Sequence, residues 1–351
     1  MKNSFIKLSI FISFVICMVS CTEKYETIAG ASNVFATHNS STRTLGQETH
    51  IRVFTEEGLE VTEESMIYVN DELISGNTFT SNEVGFFEVK AIYVNLEAPK
   101  LFIEYQSEGE KNYRKRVLVE DYTGTWCGWC PRVSHAMKLV KNISEDVVFI
   151  AIHRAPTGTA DPYNYTNASE LEAMINTPGY PKGFVNRVHQ WRFPEPFNIQ
   201  QVLEFTHGPN PKLGLAINSS SNNNNLSVEV KVDFAQDFEN LKIVVQLLEN
   251  GLVYPQVNYT DYYGGENPIA SYVHDYTLRQ TLTHILGDEI PSEASKTNNS
   301  WSKNISINIP EAVENSNKID LIAFVVNESN EVVNVRLAKV GEEQGFEYLD
   351  E

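Results

Sequence analysis

Short runs of alternating apolar and polar residues dominate the chain, and they fall into two blocks. His50–Val53, Met66–Val69, Phe86–Val94 and Leu101–Tyr105 are β-rich runs separated by Gly, Asn, Asp and Glu turns. Strands at that spacing with no helical stretch predict a small β-sandwich over residues 46–110. The second block contains Leu213–Ile217, Leu226–Phe234, Leu241–Glu249, Ile305–Ile309, Leu321–Val326 and Val332–Leu337, broken by Asn- and Ser-rich turns such as 219–225. It predicts another sandwich over 208–351, with a short helix read at 271–283.

Between the blocks the period changes. Arg114–Thr123 reads as a strand, Pro131–Lys141 as a helix with apolar Val133, Met137 and Val140, and Val147–His153 as a continuous apolar strand. This is a β-α-β unit, and a further helix at Ser169–Asn176 followed by the run Phe184–Arg187 completes an α/β domain over 111–207.

The first 45 residues differ from both. Lys2 and Lys7 precede the apolar run Leu8–Val19, which falls well short of the roughly 20 residues a spanning helix needs, and Ser20 then meets Cys21. A cleaved signal peptide over 1–20 is expected. Met18-Val19-Ser20-Cys21 resembles a bacterial lipobox, which implies Cys21 as the acylated first residue of a lipoprotein and residues 21–45 as a lipidated polar tether. The alternative is ordinary secretory cleavage that leaves Cys21 as a free thiol.

Composition narrows the partners. A chain of 351 residues with 42% hydrophobic content can build real cores, which excludes disorder as its main state. Its 27 Lys and Arg against 46 Asp and Glu give a net charge of −19, the wrong sign for displacing counterions from phosphate. Nucleic acid is therefore excluded as a partner, as is a basic patch for anionic lipid, and the membrane contact falls to the lipid anchor.

Of the four cysteines, Cys17 lies in the signal and Cys21 is the lipid site, which leaves Cys127 and Cys130. A bridge across two intervening residues removes little unfolded-state entropy, so the pair points to chemistry rather than stapling. Its place at the start of a helix favours thiolate over thiol, and a second Cys one turn on can resolve a mixed disulfide. A structural zinc would have to conscript His135 and His153, and a c-type haem needs His where Pro131 stands. Copper delivery and an inert disulfide remain as rivals. No metal or cofactor is called for.

Trp126-Cys127-Gly128-Trp129-Cys130-Pro131, with Asp121 upstream and Gly179-Tyr180-Pro181 downstream, resembles the thioredoxin superfamily over 111–207. The resemblance implies that Cys127 attacks, Cys130 resolves and Asp121 assists proton transfer. It also implies that Tyr180 and a cis Pro181, beside Trp126 and Trp129, meet a substrate peptide. Trp129 replaces the common Pro or His and Pro131 replaces a frequent basic residue, which leaves the redox direction open. His153, at the end of its strand, is either a proton-steering group or a polar strand cap.

A closer likeness follows. Leu118–Gly124 ahead of the Cys turn, with His274-Asp275-Tyr276-Thr277-Leu278-Arg279 further on, is similar to the outer membrane protein 28 family of Gram-negative lipoproteins over 111–345. The expected fold class is then multidomain α/β plus all-β: a central thioredoxin-like α/β domain flanked by N-terminal and C-terminal immunoglobulin-like β-sandwiches. The expected function is an outer-membrane-anchored thiol-disulfide oxidoreductase, periplasmic or surface-facing, with a protein thiol or disulfide as client. The alternative is a surface binding or adhesion lipoprotein with a static disulfide and a protein or glycan partner. Tyr254, Tyr259, Tyr262, Tyr263, Tyr272 and Tyr276 would offer such a partner rigid area, unless they merely pack over a sandwich edge.

Overall fold

Strand pairing in the computed structural model, which describes residues 31–107 and 111–349, follows the alternation of the sequence through most of its length. The expected signal peptide and the lipid site Cys21 lie outside the described residues. Near the N-terminus, Val34–His38, Thr49–Thr55 and Thr78–Phe79 form one sheet, and Ser65–Val69, Gly85–Tyr93 and Leu101–Gln106 run through a second. Ile51, Val53, Ile67, Val89, Leu101 and Ile103 fill the space between them. Val34–His38 departs from the expected polar tether, because all five of its residues are buried and it pairs antiparallel with residues 51–55. Alternation sends Val34 and Ala36 into this core and Phe35 into the neighbouring one, where Phe54 joins it.

The larger part of the chain is built on one open, nine-stranded sheet. Its main path runs His189–Gln190, Lys182–Val185, Val117–Thr123, Val147–His153, Thr277–Thr281, Lys242–Glu249, Ile319–Val326 and Val332–Lys339. The helix α1 (Pro131–Ile143) makes the crossover between the parallel strands Val117–Thr123 and Val147–His153. Pro131 starts α1 because its fixed φ suits the first helical turn and its missing N–H would have no partner there. Val133, Ala136, Met137, Val140 and Ile143 bury one face of α1 against Val119, Phe149 and the helix α3 (Ile199–Phe205). The short helix α2 (Ser169–Ile175) places Leu171 against the sheet's other face.

The expected fold class does not hold. Thr277–Thr281, assigned by sequence to the C-terminal sandwich and partly to a helix, pairs parallel with Val147–His153 at Ala151 and Thr277. The Ala151 N–H donates to the Tyr276 carbonyl at 2.8 Å. The same strand pairs antiparallel with Lys242–Glu249, so hydrogen bonding continues from the β-α-β unit into the C-terminal strands. The protein is mostly β, its described α-helices are short, and no thioredoxin-like α/β core stands apart from this sheet.

The three-stranded sheet Leu213–Asn222, Asn225–Phe234 and Ser300–Asn308 covers one face of the C-terminal strands. Leu215, Val230, Ile243, Val245, Leu247 and Leu321 meet there, each contributing about 1.5–3 kcal/mol by leaving water. One of the two sheets of this sandwich is therefore the shared sheet itself.

Candidate functional site

Cys127 and Cys130 form a disulfide in the turn that leads into α1, with the Cys130 N–H donating to the Cys127 carbonyl at 3.2 Å. Both are buried, 4% and 1% exposed. The cover comes from residues 256–263, far along the chain. Gln256 Nε2 donates to the carbonyls of Gly124 and Cys127 at 3.2 and 3.0 Å. The Val257 N–H donates to Thr125 C=O at 2.9 Å, and the Tyr259 N–H to Gly128 C=O at 2.7 Å. The Tyr259 ring lies so close to Gly128 that a Cβ there would stand 2.3 Å from the ring's Cδ2, so this close approach requires glycine.

The rest of the cover clamps onto α1. Tyr262 stacks on His135 with centroids 4.2 Å apart, and Lys138 Nζ lies 4.4 Å over the Tyr263 ring. Asn258 shapes the loop from within: its amide donates to the carbonyls of Tyr262 and Glu266, and its Oδ1 accepts from Thr260. The Tyr-rich run thus packs on the Cys turn and α1 rather than over a sandwich edge. Sequence reasoning missed Gln256 altogether, and nothing local to it signals the contact.

Around the covered sulfurs, aromatic side chains stay exposed. Trp129 is 53% exposed and meets Tyr259 edge-on at 6.0 Å. One helical step away, Arg132 pairs with Glu195 and lies 4.6 Å under the ring of Phe193, which is 71% exposed. Trp126 is held differently, its Nε1 donating to Arg154 C=O at 2.8 Å and its ring edge-on to Tyr180 at 5.6 Å. Tyr180 hydrogen-bonds Glu172, and burial first, then that carboxylate, pushes its phenol up to about 12. The Tyr180–Pro181 bond is cis.

A cavity of about 220 Å³ is bounded by α1, the strands Val117–Thr123 and Val147–His153, and residues 272–276. Asp121 is buried in its wall, and its Oδ1 has no hydrogen-bond partner among the described residues. Burial, reinforced by the charge of Glu195 and opposed by Arg132, raises its carboxyl well above the usual range. Glu120, one residue earlier, points to the opposite face and pairs with buried Arg187. His153 also lines the cavity, with Nδ1 2.9 Å from Asp161 Oδ2. His274 sits against it at 5.1 Å, and its imidazole is pushed down to about 4 by burial and then by His153.

Among solved structures, HBP35 of Porphyromonas gingivalis resembles the chain at a TM-score of 0.51 and 16% identity, covering 66% of this chain and 77% of that one. This likeness concerns fold alone. The β-glucosidase of Kluyveromyces marxianus matches at a TM-score of 0.18 and 10% identity, covering 86% of this chain and 45% of that one, too weak to carry an argument. No curated protein matches. Among the described residues no helix is long and apolar enough to cross a membrane, which says nothing of a β-barrel. The family model described as Outer membrane protein Omp28 matches residues 168–344, a stretch that begins after the Cys turn and includes the whole segment covering it. Since that match spans half of the chain, this protein belongs to the Omp28 outer membrane protein family.

Proposed function

We propose that the chain is a binding protein of the outer membrane, anchored through a lipid on Cys21. In this reading Cys127–Cys130 is a static bridge, and Trp129, Tyr259 and Phe193 form a docking face for a protein or glycan partner. The observation that carries it is the cover on the disulfide. Thiol–disulfide exchange needs a thiolate to reach a sulfur in line with the bond, and here both cysteines are buried in a turn whose Thr125 and Gly128 carbonyls are held by Val257 and Tyr259. The exposed aromatics supply what a docking face uses, namely large rigid side chains already desolvated on one side. Asp121, Tyr180 and Pro181 then serve the cavity wall and the loop beside the turn rather than proton relay and substrate docking.

The test is redox lability. The native protein is equilibrated in thiol buffers of graded potential, trapped by alkylation and weighed. A static bridge stays oxidised down to below about −300 mV. Reduction with a midpoint between about −120 and −270 mV, together with turnover of a disulfide substrate, would overturn this reading in favour of exchange chemistry.

A further inference from the structure

None of Trp129, Tyr259 and Phe193 lines the cavity beside α1, and its construction points to a ligand. Its inner end carries a carboxyl, Asp121, whose Oδ1 has no partner among the described residues, beside Thr123 and Gln256. Leaving such a group unpaired in the interior is costly, and a mixed polar and aromatic void is the place for a molecule that pairs with it. The two imidazoles in the wall are already engaged, His153 through Nδ1 to Asp161 and His274 through Nε2 to the Tyr254 carbonyl. The aromatic wall is Tyr272 and Tyr276.

The outer end differs in charge. Lys138, Lys141 and Asp275 stand there, exposed. Lys141 is hydrogen-bonded to the Tyr276 hydroxyl, and Asp275 accepts the Gly251 N–H at 2.8 Å. Lys138 rests on the Tyr263 ring, and the charge of Asp275 acts on it. A carboxyl inside and an ammonium outside suit a molecule of the opposite polarity.

We propose that this cavity binds a small zwitterion of the amino-acid class, its ammonium group turned inward to Asp121 and its carboxylate held outward by Lys138. The inward ammonium has Asp121 as its acceptor, with Thr123, Gln256 and the Tyr272 ring in the same wall. Burial favours the neutral carboxyl of Asp121 in the empty protein and an ammonium favours the carboxylate, so binding shifts this group toward proton release. The other charges acting on Asp121, from Glu195 and Arg132, are paired with each other and stay unchanged.

The probes are glycine, 3-aminopropanoate and 4-aminobutanoate, with propylamine, propanoate and glucose as partial or neutral competitors, titrated calorimetrically into the full chain. At least one amino acid is expected to bind about tenfold more tightly than either half-molecule or glucose, since each half lacks one of the two charge-assisted contacts. The heat should vary with buffer ionisation enthalpy in the direction of proton release. Asp121→Asn, nearly isosteric, is expected to weaken binding at least about tenfold and to abolish the proton release. Lys138→Gln, on the exposed end, should erase the preference for the amino acid over the amine. The proposal is overturned by unchanged affinity in Asp121→Asn, by equal binding of propylamine or glucose, or by no binding of any probe at about 10 mM.

Discussion

Gly128→Ala tests whether the cover protects the disulfide. The added Cβ would stand 2.3 Å from Cδ2 and 2.5 Å from Cε2 and Cγ of Tyr259, closer than any such contact can be held. Tyr259 is the side that yields, because it is 58% exposed and sits on a loop, whereas Gly128 lies between a central strand and α1. Its departure breaks the hydrogen bond from its N–H to Gly128, worth about 1 kcal/mol, and the edge contact with Trp129, worth about 0.5–1.5 kcal/mol. The local opening that exposes the sulfurs becomes easier by about 2 kcal/mol, or roughly 30-fold. Under native conditions, reduction by a phosphine followed by alkylation and mass measurement should accelerate by about that factor, while the urea midpoint moves little. Tyr259→Ala keeps the backbone bond and should give about fivefold, near 1 kcal/mol. The double variant should be no faster than Gly128→Ala alone, because the clash needs the ring. A Gly128→Ala rate within about twofold of the parent would refute the reasoning, since it would mean that reduction never waits for the cover to open.

Other consequences follow from single residues. His38 and His274 are pushed from 6.5 to about 4, chiefly by burial, so the unfolded chain takes up protons first and stability falls as pH drops below about 6.5. At pH 4.5 each should have lost about 2–3 kcal/mol relative to pH 7, and urea titrations should show His38→Gln removing its share of that slope. Arg187→Met should cost about 3–5 kcal/mol by stranding buried Glu120, with Glu120→Gln in the same chain recovering most of the loss in melting temperature. Trp129→Ala with Phe193→Ala should shift stability by about 0.5 kcal/mol each at most, yet lower binding to a glycan array or to isolated outer-membrane proteins at least about tenfold. Cys21→Ala should move the protein out of the detergent phase; unchanged partitioning would remove the lipid anchor.

Local pattern made the individual strands legible. Val147–His153 was readable because a strand buried on both faces is apolar throughout, and α1 because Pro131 starts it and its apolar positions repeat at helical spacing. What the pattern missed was settled by distant contacts. Val34–His38 lies in polar surroundings and becomes a strand only because Thr49–Thr55 pairs with it. Residues 271–283 carry Tyr, Leu and Thr at spacings that suit a helix or a strand, and the open edges of Val147–His153 and Lys242–Glu249 decide for a strand at Thr277–Thr281. That one strand also removes the domain edge the sequence suggested. The site followed the same division: the Cys turn, Asp121 and Trp129 were visible locally, whereas Gln256 and Tyr259, which cover the sulfurs, enter from more than a hundred residues away.

The short span of the Cys127–Cys130 bridge, which first pointed toward chemistry, carries a different meaning once the cover is in view. A bridge over two residues restrains the unfolded chain very little, so in the proposed static reading its contribution is to the shape of the folded turn. That turn presents three carbonyls, from Thr125, Cys127 and Gly128, at the positions where Val257, Gln256 and Tyr259 donate. Gln256 is at once a member of this cover and part of the cavity wall, so the geometry that shields the sulfurs also fixes one side of the void in front of Asp121. The outer face of the same segment shows Tyr259 beside Trp129. In the proposed reading a rigid turn holds the exposed aromatic pair and the Gln256 side of the cavity in one arrangement, and reduction of the bridge is expected to loosen both.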